Sequence, residues 1–568
     1  MAFTGLAFAC GGDGPVTPPA EAPCDGVTQA VISLEPFTAT RLSGSAVHCA
    51  VLAGAGANYL VIPELTDASL PYGGFGFRIG DPEALPTAAL RAADALDAAA
   101  LVEGGFIGRA PVPDAQARLD AALRARERAM PVERAPHAGA SAAALRTATP
   151  DGARALDTLR RFSVLNTLDA TPTFDSVSAR LRFEGTRIAL YVDTLAGGSL
   201  SDVELQQMGA LYDAALAPRI FSTFGDGSDV DANGRVIFLL TPTVNAMVTA
   251  TGCATTGFVR GFFYGHDLAS TATTSNRGEV FYAYVPDPSA TWSCAHTKAE
   301  VLANLPPTFI HELQHMISYG AHVITRGGAN EEPWLNEGLS HMAEELGSLY
   351  WEERFPAPSG RADPSQLFPD SAAPYINPNL LYSFRYLFSS GSYSLTTCAP
   401  GSFCSQSERG GIWLFLRWLA DQRGETVFRS LVQTALTGRT NLEGVTGEST
   451  AALLGDFAIA VSADSIAGVP RSRVPARYRF ASRNLRTIYK RLFDAYGVLG
   501  GVGRPFPIAA IALDPGVSRT GTMRPGTFLT YALRTGDQTA TVRLRFSIPD
   551  GSAFPLSTGA QVMIFRLE

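Results

Sequence analysis

Two imidazoles four residues apart, with a carboxylate between them, stand in the stretch Thr308-Phe309-Ile310-His311-Glu312-Leu313-Gln314-His315-Met316. On a helix, residues i and i+4 lie one above the other, so His311 and His315 converge on one spot. Neutral imidazole nitrogen suits zinc, and a catalytic zinc takes three protein ligands and keeps a fourth position for water. Glu312, next to the first imidazole, is then close enough to accept a proton from that water. The third ligand has to come from elsewhere. The segment Trp334-Leu335-Asn336-Glu337-Gly338-Leu339-Ser340 offers Glu337. On a helix Glu337, His341 and Glu344 share one face, while Leu335, Leu339, Met342 and Leu346 fall largely on the other. Glu344 as the ligand, with Glu337 behind it, is the alternative. Otherwise Glu344 and His341 stand behind the ligands and orient them.

The elements that must position these groups follow from their neighbours. Pro306 and Pro307 suit the start of a helix and Gly320 its end. Phe309, Ile310, Leu313, Met316 and Ile317 form an apolar stripe between them. With eight histidines in 568 residues, an accidental pair at this spacing is rare.

H-E-x-x-H followed, after 21 intervening residues, by the Glu of W-L-N-E-G-L-S resembles a gluzincin metallopeptidase. The strings HELQHMISY and WLNEGLSHMAEEL resemble the hyicolysin-type neutral zinc metallopeptidases. The resemblance runs from about Arg180 to Asp464, with FGDGSDVDANGRVIFLLTPTVN and SNRGEVFYAYVPD upstream and GGIWLFLRWLADQRG downstream. It implies an α+β gluzincin-type domain, a mixed sheet plus a helical subdomain. It also implies zinc held by His311, His315 and Glu337, Glu312 as catalytic base, and cleavage of internal peptide bonds in a protein or peptide substrate. Gluzincins of this kind place a Tyr or His across the cleft to hydrogen-bond the developing oxyanion. Tyr382, Tyr386, Tyr393 and Arg409 are the candidates here. The alternating segment Gly278 to Val285 resembles the strand that edges such a cleft and pairs with an extended peptide; an interior strand is the other reading.

At 568 residues the chain is long enough for two to four domains, and 46% apolar with 17% charged residues marks it as globular. A net charge of -8 without a Lys/Arg run argues against nucleic acid as a partner. Seven cysteines are present. With Cys10 aside, six fall into sequence-neighbour pairs, Cys24 with Cys49, Cys253 with Cys294, and Cys398 with Cys404, which suggests disulfides and an oxidising compartment. Met1 to Cys10 followed by GGDG resembles the tail of a bacterial lipoprotein signal. Cys10 would then be lipidated and tether the protein to a membrane, giving an extracytoplasmic envelope lipoprotein or a secreted protein. A monomer is expected.

In chain order, residues 1–23 read as this leader and a linker. Residues 24–81 read as a small β domain, 82–150 as an Ala/Arg-rich helical connector or propeptide, 151–484 as the metallopeptidase domain, and 485–568 as a second small β domain. In the connector, helices are expected at 88–102 and 115–129; no cleavage site or zinc-blocking ligand is marked. Asp229, Asp231 and Asn233 before Gly234 resemble the first half of a calcium loop. Leu240 stands where that loop's bidentate Glu belongs, and a solvated Asx-rich turn is the alternative. Two rivals to a zinc endopeptidase follow from the same residues. A zinc aminopeptidase shares W-L-N-E-G but needs an upstream acidic strand to capture the α-amine, and no such string occurs. A surface-anchored binding lipoprotein with a non-catalytic metal site fits the β segments but leaves Glu312 without a role.

Overall fold

The computed structural model of the protein describes residues 30–54, 56–67, 73–84, 86–88, 115–130, 156–169, 171–268, 273–355, 368, 370–398, 404–464, 466, 469–497, 502–536 and 541–568. Its centre is a six-stranded mixed sheet in the order Gly261–Phe263, Val280–Ala283, Val236–Leu240, Ile188–Asp193, Phe174–Glu184, Leu159–Leu165. Val236–Leu240 runs parallel to both of its neighbours, and every residue of it and of Ile188–Asp193 is buried. Continuous apolar strands of this kind belong inside a sheet covered on both faces. The alternating segment at Val280–Ala283 is therefore interior, flanked on both sides. The edge is Gly261–Phe263, which pairs antiparallel with it. Alternation reports which face a side chain takes, and it does not report which strand lies alongside.

Five helices matter for the site: α1 (Ala115–Ala129), α2 (Lys298–Tyr319), α3 (Pro333–Arg354), α4 (Ala373–Phe388) and α5 (Gln406–Arg423). Phe309 of α2 fixes that helix to the sheet, with ring centroids 4.7 Å from Tyr212 and 5.6 Å from both Phe238 and Phe281. The start and end of α2 differ from the sequence reading. Thr297 caps it by accepting the Glu300 amide at 3.2 Å, so Pro306 and Pro307 lie inside the helix. Beyond Tyr319 the chain continues as a π-helical turn, Gly320–Thr325. Gly320 has ordinary helical backbone and serves packing, since a Cβ there would come within 2.7 Å of the Ser228 amide. Gly338 does the same between α3 and α5, where a Cβ would meet Ile412 at 2.4 Å. That close approach seats Glu337 against the start of α5.

The two β segments at the chain ends intercalate. One six-stranded sheet orders Ala30–Ser33, Ala50–Ala53, Thr541–Ser547, Phe75–Gly80, Ser518–Met523 and Pro86–Ala88. In the other, Ala560–Arg566 lies between Ala39–Ser43 and Asn58–Leu65. Leu52, Val61, Phe77, Tyr531, Phe546 and Ile564 share one apolar core. The expected small domains at 24–81 and 485–568 are thus parts of one unit. Ala30–Ser33 with Ala50–Ala53 and Ile511–Ala512 with Tyr531–Arg534 are ladders within one segment. The remaining ladders of the unit pair an N-terminal strand with a C-terminal one, and sequence pattern cannot name a partner several hundred residues away. Leu485–Tyr496 is a helix, joined to α4 by a 2.6 Å hydrogen bond between Tyr489 and Ser383 hydroxyls.

Cys253–Cys294 and Cys398–Cys404 are disulfides. Cys10 and Cys24 lie outside the described residues, as does the expected helix at 88–102 except for Ala88, which ends strand Pro86–Ala88, whereas the expected helix at 115–129 is α1. Among the described residues no helix is long and apolar enough to cross a membrane.

Candidate metal centre

Helices α2 and α3 bring the sequence candidates together. The i, i+4 spacing puts the His311 and His315 rings 4.9 Å apart, and Glu337 reaches both: Oε2 is 3.7 Å from His311 Nε2 and Oε1 is 3.8 Å from His315 Nε2. One ligand atom from each of the three lies within 4.8 Å of the others. Ligand atoms about 2.1 Å from a tetrahedral zinc sit about 3.4 Å from one another, so these separations suit a cation between the groups. His311, His341 and Glu344 form a second convergent set. There the separations are 2.8 Å from His311 Nδ1 to Glu344 Oε1 and 3.0 Å from His341 Nδ1 to Glu344 Oε2, which are direct hydrogen bonds. The donor set His311, His315 and Glu337 fits zinc, and Glu344 fits the place behind it.

The two imidazoles differ electrostatically. Burial would lower the His311 pKa, but the Glu344 hydrogen bond and the Glu344, Glu312 and Glu337 charges push it up to about 9, so a metal must displace a proton from that ring. Burial holds His315 neutral, with Arg124 and His311 adding to the effect, and a neutral imidazole is the form that binds metal. Burial would raise the Glu344 pKa, but the His341 and His311 imidazoles prevail and hold its carboxyl well below the usual range. Ser340 Oγ lies 3.1 and 3.2 Å from the two nitrogens of His315 and donates to Gln314 Oε1 at 2.6 Å. An oxygen equidistant from both nitrogens lies on the lone-pair axis of neither.

Glu312 turns toward the edge strand, where its Oε2 accepts the Phe263 amide at 3.0 Å. Burial, then the nearby Asp120 carboxylate, pushes its pKa up to about 8 against the pull of His311 and Arg124. Arg409, at the start of α5, stands on the other side: its Nη1 is 3.1 Å from Glu337 Oε2 and 3.5 Å from Asp120 Oδ2. The Cys404 carbonyl accepts from Arg409 Nε at 3.1 Å, so Cys404, tied to Cys398, helps aim the guanidinium. Of the tyrosines, Tyr382 has its ring 6.2 Å from that of His341. Tyr386 is fully buried against Phe528, on the side of the terminal β unit, and Tyr393 packs on the core periphery.

Asp120, Arg124 and Glu127 of α1 are also buried at this centre, and sequence reasoning missed them. Their i, i+4, i+7 spacing marks one helix face, but charges on one face are ordinarily solvated.

Elsewhere, Asp229, Asp231 and Glu279 converge. The third carboxylate precedes strand Val280–Ala283, whereas Leu240 is buried within its own strand. Asp229 Oδ1 accepts the Asn233 and Gly234 amides at 3.1 and 3.2 Å, while Asp231 Oδ1 accepts the Asn233 amide at 3.2 Å and Asn233 Oδ1 the Arg235 amide at 2.6 Å, the two-residue spacing of Asx turns. Asn233 Nδ2 donates to Asp231 at 2.6 Å. Cys253, Cys294 and His296 also cluster, but the sulfurs are joined to each other.

No family model matches the chain. Over 192 residues, 34% of its length, it is 24% identical to the neutral metalloprotease ShpI of Staphylococcus hyicus. The match spans 40% of that relative. This similarity supports a metalloprotease relationship.

Proposed function

We propose that the protein is a zinc-dependent endopeptidase acting on proteins or peptides outside the cytoplasm. The observation that carries this reading is the convergence of His311, His315 and Glu337 within 4.8 Å, with Glu312 beside the first imidazole. A zinc ion held there supplies Lewis acidity and lowers the pKa of water at its open position. Glu312 takes the proton from the attacking water and hands it to the leaving amine. Its Oε2 is occupied by the Phe263 amide, which leaves Oε1 for the proton and fixes the base beside a strand edge. Glu344 and His341 orient His311, and Arg409 neutralises part of the Glu337 charge. The paired cysteines support an oxidising compartment.

The test compares an internally quenched peptide with an amino-acid anilide bearing a free amine, each with and without chelator. Chelator-sensitive cleavage of the quenched peptide alone is expected. Hydrolysis of the anilide alone points to an aminopeptidase. Hydrolysis of neither substrate, both by the wild-type chain and by a chain with the buried α1 charges Arg124 and Glu127 replaced by alanine, refutes the reading.

A further inference from the structure

A sheet edge exposes backbone groups that an extended peptide can use, and side chains of α1 occupy those of strand Gly261–Phe263. Gln116 Nε2 donates to the Gly261 carbonyl at 2.8 Å, and its Oε1 accepts the Arg260 amide at 2.9 Å. Arg124 Nη2 donates to the Phe263 carbonyl at 2.7 Å, and Glu127 Oε1 accepts the Gly265 amide at 2.7 Å. One helix face thus takes, with three side chains, the outward Gly261 and Phe263 carbonyls of the strand and the amides on either side of it, while Glu312 takes the Phe263 amide. Between those contacts Asp120 pairs with Arg409, the same cation that faces Glu337.

The cost of this arrangement indicates a purpose. Asp120, Arg124 and Glu127 are 4%, 4% and 3% exposed, although a helix that merely linked two domains would keep its charges in water. Arg124 and Glu127 stay buried because they pair at 3.0 Å and because Asn330 donates to Glu127 at 3.1 Å. With α1 in place Glu312 is only 2% exposed, so the proposed base cannot meet a polypeptide.

We propose that α1 is a built-in plug that fills the peptide-binding edge of strand Gly261–Phe263 and closes the metal centre until it is displaced. The ligand of the uncovered edge is an extended peptide main chain, held through Gly261, Phe263 and the Arg260 and Gly265 amides. The inference rests on the peptidase reading for its meaning, and the test separates the two.

Binding of a fluorescein-labelled casein peptide is read by anisotropy in the full-length chain carrying Glu312→Gln, which prevents turnover. Adding Gln116→Ala, Arg124→Ala and Glu127→Ala together should tighten binding by about tenfold or more, because a site freed of an occupant no longer loses affinity to its closed population. Zinc content and the folded circular dichroism spectrum should not change. Should the triple variant fail to fold, Gln116→Ala alone leaves the Arg124–Glu127 pair intact and should still tighten binding by about threefold. Unchanged affinity in a folded triple variant overturns the plug, as does unchanged affinity in the single variant if the triple does not fold. With Glu312 restored, tighter binding without chelator-sensitive cleavage would sustain the plug and sink the peptidase. Cleavage as fast in the wild-type chain as in the triple variant would do the reverse.

Discussion

The carboxylate of Glu344 bridges two imidazoles, 2.8 Å from His311 Nδ1 and 3.0 Å from His341 Nδ1. A proton on His311 Nδ1 satisfies that bond and leaves the Nε2 lone pair facing Glu337. Glu344→Ala should therefore weaken zinc affinity by about 10- to 100-fold while the chain stays folded. Competition with a chromophoric chelator measures this, and unchanged affinity would remove Glu344 from the site.

Glu312→Gln keeps the acceptor for the Phe263 amide and removes the proton carrier. Zinc content should be retained and peptide hydrolysis should fall by about 10²- to 10⁴-fold. Steady-state cleavage of the quenched peptide at matched zinc occupancy reads the effect. Activity within a factor of a few of wild type would mean that another group takes the proton.

Arg409 stands between the buried carboxylates of Glu337 and Asp120. Arg409→Met leaves both without that cation, which should cost about 3–5 kcal/mol of stability. Urea unfolding of the metal-free chains gives the difference. A loss below about 1 kcal/mol, the range of an exposed pair, would show that the guanidinium is not holding them.

Glu64 lies in strand Asn58–Leu65 and is 1% exposed; burial, opposed by the Gln561 hydrogen bond and reinforced by Asp456, pushes its pKa up to about 8. The folded chain then binds a proton that the unfolded chain releases. The group's contribution to stability is complete below the ordinary carboxyl pKa and is lost as pH rises through about 8. Glu64→Gln should gain melting temperature relative to wild type steadily from pH 5 to pH 8. A pH-independent difference between the two would contradict the buried, protonated carboxyl.

What could be read in advance was local. The distance between His311 and His315 depends only on helix geometry, and α1 and the two described disulfides link residues near each other in sequence. Pro306 and Pro307 misled because they suit a helix start, yet the Thr297 cap begins the helix earlier. The position of Gly261–Phe263 at the sheet edge, the pairing of Ala560–Arg566 with N-terminal strands, and the burial of Asp120 and Arg124 all depend on partners distant in sequence. No periodicity encodes such partners. A charge on a helix face looks the same in sequence whether it meets water or Arg409.

Zinc stoichiometry tests the central claim most directly. Elemental analysis of the full-length chain, purified without added metal, should find about one zinc per chain, and His315→Ala and Glu337→Gln should each abolish it with the fold intact. A folded wild-type chain without stoichiometric metal, or variants that keep their zinc, would contradict the assignment.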